Sequence, residues 1–308
     1  MTTSVDLARL SRFASAPRWK DLNMTEMIRR LLIVIACVAT ACSQHPPIAE
    51  AEEAEEPRFA AAAKLDSALK AAESSADHET QIKVLRSAAD ETLRTMTANV
   101  LVQDLFHRVQ QSKIDDPRGL AKEWRNAVTE SRDLLRFEPF LEAPLPEGFP
   151  KPAPVGEIRV QSYPSYRVAR TDMTLVEGRA FWTLFNHIKQ REIAMTAPVE
   201  MGYAPGKDGA PAKSSMSFLY RSTKQGKLEV DGKVAVVDVP AQQAVSIGLR
   251  GDATKERVND AKRRLEDWLQ AHREEYESAG AMRVMGYNSP FVADQKKLTE
   301  VQIPVRGK

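Results

Sequence analysis

Ile158-Arg-Val-Gln-Ser-Tyr-Pro-Ser-Tyr-Arg-Val-Ala-Arg-Thr171 is the stretch that decides the fold. It is rich in β-branched and aromatic residues around Pro164, which predicts a strand with an irregularity at the proline. A helix is predicted over 175–189, because apolar residues recur there at helical spacing. They are Phe181, Leu184, Phe185 and Ile188. Strands are predicted next, over 193–203 and 216–221.

The same order of elements then recurs. A strand is predicted over 244–250, a helix over 255–278, and strands over 282–287 and 300–305. The pattern is therefore βαββ twice, which predicts an α+β fold. Two such halves can join their sheets into a curved or barrel-like surface, with one helix from each half beside it and a groove between helix and sheet.

Prolines mark a boundary before this region. Six of the eighteen prolines fall within sixteen positions, where their fixed φ angles and missing N–H groups oppose helix or central strand. These are Pro139, Pro144, Pro146, Pro150, Pro152 and Pro154. We therefore predict a Pro-rich linker over 138–154 and a separate domain over 155–308.

An α-helical N-terminal extension is predicted over 58–137. Asp116-Pro117 resembles an N-cap followed by a first-turn proline. The residues upstream of it show a buried helical face: Ile82, Leu85, Ala89, Leu93, Met96 and Val100. Three helices are expected, and none of their polar residues converge on a chemical task.

The amino terminus resembles a secretory signal. Arg29 and Arg30 precede the apolar stretch 31–41, which ends in Ala39-Thr-Ala41 and is too short to span a bilayer. We predict a leader and signal peptide over 1–42, with translation starting at a later methionine than Met1. Cys42 is a candidate lipidation site, and a cleaved soluble form is the alternative.

An acidic tether is predicted over 43–57, because residues 50–56 contain five glutamates that repel one another. The 308-residue chain balances 44 Lys and Arg against 42 Asp and Glu, so it lacks the positive field that nucleic-acid binding requires. Two cysteines and no Cys-x-x-Cys exclude zinc ribbons, disulfide frameworks and covalent c-type haem, and no structural metal is expected.

Six segments of the domain predicted over 155–308 resemble, in the same order, segments of the SOUL haem-binding proteins. The resemblance covers about residues 155–306. The six segments are Tyr163-Pro-Ser-Tyr-Arg-Val-Ala169, Ala180-Phe-Trp-Thr-Leu-Phe185, Ile193-Ala-Met-Thr-Ala-Pro-Val-Glu-Met201, Met216-Ser-Phe-Leu-Tyr220, Gly286-Tyr-Asn-Ser-Pro-Phe291 and Glu300-Val-Gln-Ile-Pro-Val305. The resemblance implies a duplicated βαββ unit that forms a distorted antiparallel β-barrel flanked by two helices. It also implies a non-covalent tetrapyrrole, haem or another porphyrin, as ligand.

In the family's haem binders an apolar groove beside the first helix holds the macrocycle. The matching residues here are Phe181 and Phe185, with Tyr287 from the second half; core packing is the other interpretation of these aromatics. The sequence departs from the family pattern because only four residues, 189–192, separate the helix from the next strand. A connection this short is expected to alter or abolish the groove.

Histidine is a common ligand of haem iron. His187 lies about 110° from the centre of the apolar helix face, so we expect it at the rim of the groove, as a boundary residue or a weak axial ligand. His272 falls in the stripe of the second helix, as a core residue or, less favourably, a ligand. Met195 and Met201 are packing residues or weak axial ligands.

No nucleophile elbow, phosphate-binding loop or His-Glu-x-x-His motif occurs in the sequence, so we expect a binding protein and not an enzyme. The leading hypothesis is a carrier or buffer of haem in a bacterial cell envelope, periplasmic or held to the membrane only through a lipid anchor. Its alternatives are a structural or protein-interaction lipoprotein that has lost haem and binds a partner through its helical extension, and a binder of another flat hydrophobic molecule.

Overall fold

The computed structural model describes residues 56–173, 177–206 and 211–308, and the leader with Cys42 lies outside them. Six α-helices and an antiparallel sheet of ten strands are found in these ranges, which confirms the α+β class. The helical extension comes first. Its helices are α1 (Pro57–Glu73), α2 (His78–Thr95), α3 (Val100–Gln110) and α4 (Pro117–Leu135).

The extension therefore has four helices, and the expectation of three was wrong. The apolar stripe that runs from Ile82 to Val100 is divided, because α2 ends at Thr95 and Asn99 caps a new helix. The Asn99 side chain accepts a hydrogen bond from the Val102 amide at 3.1 Å, which satisfies one of the amides that a helix start leaves free. Asp116 caps α4 in the same way, as its sequence predicts.

The four helices enclose a core of their own, which includes Leu65, Leu85, Phe106, Trp124 and Val128. The two ends of this bundle meet. The guanidinium of Arg58, at the start of α1, donates hydrogen bonds to the carbonyls of Leu135 and Phe137, just where α4 ends. One side chain thus fixes where the chain enters and leaves the bundle.

The second region carries the sheet and two further helices, α5 (Glu177–Gln190) and α6 (Lys255–Ala271). The strands are β1 (Ile158–Tyr163), β2 (Tyr166–Asp172), β3 (Val199–Pro205), β4 (Pro211–Leu219), β5 (Glu229–Asp231), β6 (Val234–Val239), β7 (Gln242–Arg250), β8 (Tyr276–Ser278), β9 (Arg283–Gly286) and β10 (Leu298–Gly307). A 3₁₀ turn, Asp294–Lys296, precedes β10.

The strand order shows the duplication. It runs β1-β7-β10-β9-β3-β4-β2-β6-β5, with β8 on β10, so β7-β10-β9 of the second half mirrors β3-β4-β2 of the first. The halves join where β3 pairs with β9, for instance at Met201 and Val284. Two βαββ units therefore form one continuous sheet.

The sheet is open, and the expectation of a closed, distorted barrel was wrong. β1 and β2 follow each other through Pro164 but lie far apart in the strand order. Both edges of β2 are occupied, one by β4 and one by β6, so β2 offers no free edge to β1. β1 and β5 consequently end the sheet.

Both helices pack on one face of the sheet. α5 packs on an apolar cluster that includes Phe218 and Val236, and α6 on one that includes Ile247 and Val301. The second helix ends at Ala271 and not at the expected Ser278. His272 caps it there, and residues 276–278 form β8 instead, because they pair with the end of β10.

No helix or strand forms within residues 138–154, as expected for the Pro-rich linker. The segment packs against the opposite face of the sheet, where Leu141 and Leu145 join an apolar cluster that contains Met285, Tyr287 and Leu298.

The bundle and the sheet region touch where this segment ends. Asn99, the cap of α3, donates from its side-chain amide to the Val155 carbonyl at 2.9 Å, and the Val100 amide donates to the Gly156 carbonyl. Gly156 has a φ of 78° and its missing Cβ would lie 2.5 Å from the Asn99 side-chain oxygen. Only glycine fits this contact without a shift.

Candidate functional site

Three aromatic rings of α5 form a cluster on one flank of the helix. Phe181 and Phe185 are half-buried and stack with ring centroids 6.1 Å apart. Trp182 is 45% exposed and meets both phenylalanines edge to face, at 5.7 and 5.5 Å. We call Phe181, Trp182 and Phe185 the aromatic cluster. It is an apolar surface that is part of the core on one side and open to solvent on the other.

The aromatic cluster continues onto the sheet. Phe181 meets the buried Phe218 edge to face at 5.2 Å. Met195 and Met201, the two methionines singled out from the sequence, are partly buried in the same apolar cluster as the two phenylalanines. Thioethers are flexible and polarisable, so they can adapt to an aromatic ligand. The structure therefore brings four of the candidate residues together.

His187 lies on the other flank of α5, about 160° around the helix from Phe185 at 100° per residue. It is 3% exposed, and the expectation of a rim position was wrong. The hairpin of β5 and β6, which the sequence analysis did not predict, covers it. Burial, helped by the Arg191 cation, lowers the pKa of His187 below its ordinary value, so the neutral imidazole is favoured.

The neighbours of His187 are polar. Its Nε2 atom lies 3.3 Å from the Tyr220 hydroxyl, and Nδ1 lies 3.5 Å from a carboxylate oxygen of Asp231. The second distance is too long for a good hydrogen bond, so Nδ1 is left without a partner among the described residues. In this arrangement neither nitrogen faces the aromatic cluster.

Tyr287 is not brought to the aromatic cluster. It is buried in the apolar cluster under the Pro-rich segment, and its hydroxyl donates to Glu300 at 2.7 Å. Burial raises the pKa of Tyr287 well above its ordinary value. The position of Tyr287 in its motif gave no sign that β9 would carry it to a different cluster.

His272 caps α6. Its ring stacks on Trp268 with centroids 3.9 Å apart, and its Nδ1 atom lies 2.8 Å from the Trp268 carbonyl. Because a carbonyl only accepts, Nδ1 carries the proton. Within the residues that the structure describes, no group of three His, Cys, Asp or Glu side chains is arranged to hold a metal ion. None of the helices in those residues is both long and apolar enough to cross a membrane.

A cleft of about 340 Å³ lies beside the exposed side of α5. Trp182 lines it together with Arg179, Asp172 and Lys233. Sequence reasoning missed Arg179 and Lys233. Arg179 precedes Phe181 by two residues on the same helix, and Lys233 follows Asp231-Gly232, a dipeptide that marks a hairpin turn. Those were the signals that would have found them.

Comparison with known proteins gives a family. Residues 153–304 match the model of the SOUL heme-binding proteins. No curated protein matches the chain.

Several solved structures are similar. The C-terminal domain of EcmrR shares 17% identity over 49% of this chain and 97% of its own, with a TM-score of 0.38. A hydrolase from Listeria innocua shares 13% identity over 51% of this chain and 94% of its own, also with a TM-score of 0.38. SAV2435 bound to tetraphenylphosphonium shares 14% identity over 49% and 94%, with a TM-score of 0.32. The family, in contrast, rests on the match of the sequence itself: over residues 153–304, the chain belongs to the SOUL heme-binding protein family.

Proposed function

We propose that this chain binds haem or a related tetrapyrrole without a covalent bond, at the aromatic cluster of α5, and serves as a carrier or buffer. The observation that carries the proposal is the stacked, half-buried pair of Phe181 and Phe185 beside the exposed Trp182, within a SOUL domain. A flat apolar ring that covers these side chains removes apolar surface from water, at about 25 cal/mol per Å² before the costs of association.

The residues around the cluster suit such a ligand. Arg179 and Lys233 make no ion pair within the described residues, and both line the cleft beside Trp182, so they can meet the carboxylates of a porphyrin. Met195 and Met201 offer thioethers, which are weak ligands of haem iron. When bound, haem would supply its iron as a ligand-binding and redox centre; the side chains of this chain hold and orient the macrocycle.

The proposal leaves no direct role for His187 in this mode, because the hairpin encloses it on the opposite flank of α5. Haemin titrated into the mature chain should therefore give a saturable change in the Soret band that survives His187→Ala. Phe181→Ala and Phe185→Ala should each weaken binding about two- to tenfold, since one aromatic contact contributes about 0.5–1.5 kcal/mol. Phe291→Ala is the matched control, because Phe291 is 70% exposed and lies outside the cluster.

Iron-free protoporphyrin separates ring contacts from iron ligation. It should bind with similar dependence on Phe181 and Phe185, since the aromatic cluster recognises the ring. Circular dichroism must first show that the variants are folded, because removing a buried phenylalanine costs about 3–5 kcal/mol. If the folded chain binds neither porphyrin at micromolar concentration, or if His187→Ala alone abolishes the Soret change, this site is wrong.

The porphyrin titration also distinguishes two alternative functions from haem binding. A chain that binds no porphyrin would act as a structural or interaction protein, with its helical bundle as the surface for a protein partner. A chain that binds a different flat hydrophobic molecule would show the same dependence on the aromatic cluster. In each case we propose a binding role and not catalysis, since the sequence carries none of the catalytic motifs sought.

We also propose that the protein is exported and resides in a bacterial cell envelope. The support is the short apolar stretch after Arg29 and Arg30, followed by Cys42. Mass spectrometry of the native protein should find a mature amino terminus at Cys42 or close to it, with or without an attached lipid. An intact Met1 in the cytoplasm would overturn this.

A further inference from the structure

The strand β5 forms one end of the sheet, and its outer edge is bare. The strand order ends at β5, so β5 pairs with β6 on one side only. The other end of the sheet differs, because the Ile158 amide at the start of β1 donates to the Ala98 carbonyl of the helical extension. Among the described residues, none hydrogen-bonds to the outer backbone edge of β5. Such an edge leaves amides and carbonyls free to pair with another strand.

The β5–β6 hairpin determines which backbone groups point outward. Asp231 and Val234 flank the two-residue turn Gly232-Lys233 and pair with each other. Residues that flank such a turn exchange backbone hydrogen bonds, and along each strand the groups then point alternately towards and away from the partner strand. The amides and carbonyls of Leu228 and Val230 therefore point away from β6. They are the groups that a further strand would meet.

The side chains of β5 divide into a charged side and an apolar side. Glu229 and Asp231 both form ion pairs with Arg191, at 2.7 and 3.0 Å, so they point to the side of the sheet on which α5 lies. Alternation along the strand turns Leu228 and Val230 to the opposite side. There Leu228 is 59% and Val230 80% exposed. Adjacent exposed apolar side chains on an unpaired edge favour association with another chain.

This edge is complementary to itself. When two copies of β5 pair antiparallel about a two-fold axis at Glu229, Leu228 lies opposite the partner's Val230, and the outward backbone groups of the two strands match. The apolar side chains of both copies then lie side by side. The same register sets Lys227, which makes no ion pair within the described residues, opposite the partner's Asp231. Opposite charges directly across two strands stabilise their pairing.

Neighbouring registers are less favourable. An axis at Val230 would set Glu229 opposite the partner's Asp231, so that like charges would meet on both sides of the axis. An axis at Leu228 would require Gly226 to pair with the partner's Val230. Gly226 has a φ of 65°, which is not an extended conformation, and its carbonyl already accepts a side-chain hydrogen bond at 3.0 Å. The charges and the backbone therefore select the axis at Glu229.

We propose that this protein forms a two-fold symmetric dimer in which the β5 strands of two copies pair and join their sheets. The two Glu229 carboxylates face each other across the axis, and each is neutralised by its own Arg191. Because one short strand from each copy makes the contact, the dimer is weak, with a dissociation constant of about 10–500 µM. It does not depend on the proposed haem site, since Leu228 and Val230 point to the side of the sheet opposite the aromatic cluster.

Sedimentation equilibrium on the mature chain tests the dimer. Between about 5 µM and 1 mM, the average mass of the wild type should rise from that of one chain towards that of two. Val230→Lys places a charge on the apolar side of the edge and should raise the dissociation constant at least about tenfold. Phe291→Lys is the matched control, because Phe291 is also exposed, at 70%, but lies outside β5. It should leave the dissociation constant at the wild-type value.

Exchanged charges test the register. Lys227→Asp and Asp231→Lys each set like charges opposite one another when the variant pairs with itself, so each should dimerise at least about tenfold less tightly than the wild type. Mixed together, the two variants should form a heterodimer, because every cross-strand pair in it again joins opposite charges. Circular dichroism must first show that the variants are folded.

Three results would overturn the proposal. One is a wild type that stays monomeric throughout this range, whatever other chain it binds. Another is a dimer that survives Val230→Lys in a folded variant, or a mixture of folded charge variants that stays monomeric, since the contact would then lie elsewhere. The third needs no variant: the amides of Leu228 and Val230 in the wild type should exchange hydrogen more slowly at high protein concentration, and equal rates at low and high concentration would exclude the pairing.

Discussion

The substitution Tyr287→Phe removes one hydroxyl group. It measures how much the hydrogen bond from Tyr287 to the buried carboxylate of Glu300 contributes to the free energy of unfolding. In Tyr287→Phe the ring stays in its apolar cluster, and only the hydrogen bond of 2.7 Å to Glu300 is lost. Glu300 is 0% and Tyr287 4% exposed, so water cannot replace the hydroxyl without reorganisation. A hydrogen bond to a charged group contributes about 1.5–3 kcal/mol. We expect the free energy of unfolding to fall by that amount, and the melting temperature by about 3–12 °C.

The loss should depend on pH. Burial raises the pKa of Glu300, while the Tyr287 hydroxyl opposes this by favouring the carboxylate. Without the hydroxyl the pKa of Glu300 rises further in the folded state. At acidic pH the carboxyl is protonated in both proteins and only a neutral hydrogen bond is lost, about 0.5–1.5 kcal/mol. The destabilisation is therefore smaller at acidic pH and grows as pH rises through the folded-state pKa of Glu300.

Urea unfolding followed by circular dichroism, at several pH values, gives both quantities. The slope of free energy against urea should be unchanged, since the same surface is exposed on unfolding. Tyr276→Phe is the control: the Tyr276 hydroxyl makes no hydrogen bond within the described part of the chain, so we expect less than about 0.5 kcal/mol. A Tyr287→Phe loss below about 0.5 kcal/mol, or one that is constant with pH, would refute the reasoning.

Three further predictions concern stability. Glu300→Gln should raise the melting temperature at neutral and alkaline pH but little at acidic pH, because a carboxyl whose pKa is raised on folding loses stability as pH rises through that pKa; a difference largest in acid would contradict this. Gly248→Ala should lower the free energy of unfolding by several kcal/mol in urea titrations, since its Cβ would lie 2.2 Å from the Ala153 carbonyl oxygen. Gly178→Ala, in the first turn of α5, is the contrasting case because its Cβ meets no atom within 4 Å. This substitution should raise the free energy of unfolding by about 0.5–1 kcal/mol. A fragment of residues 155–308 should unfold in one cooperative transition by circular dichroism, because it holds both βαββ halves; an insoluble or molten fragment would place residues 138–154, the helical bundle or both in the same folding unit.

Much of the fold was readable because its signals are local and periodic. The two sheet-packed helices follow the spacing of their apolar residues, and the order of strands around them reveals the duplication. The sequence analysis missed the β5–β6 hairpin, whose Val230-Asp-Gly-Lys-Val234 carries a turn signal between alternating apolar residues. That omission also placed His187 at a rim, because the hairpin is what covers it.

The candidate site was predictable only in part. Phe181 and Phe185 lie together because helical spacing dictates it, and Met195 and Met201 join them through the first half's own strands. Tyr287 depends on the pairing of distant strands, which no local pattern encodes. Barrel closure likewise depended on which strand edges stay free, and this is decided by the pairing of β2 with β6 across many intervening residues.

The Arg58 contact has a consequence for how this protein could have been assembled. One guanidinium joins the residues at which the chain enters and leaves the helical bundle, so the bundle begins and ends at nearly the same place. Residues 57–136 could be replaced by a short connection from Glu56 to Phe137, since a single side chain, that of Arg58, spans the distance between the two ends. The bundle therefore has the geometry of an exchangeable cassette, gained or lost in a single genetic event without rerouting the polypeptide. A SOUL domain that lacks the bundle, or that carries another module between the same two ends, would differ from this protein by one such event.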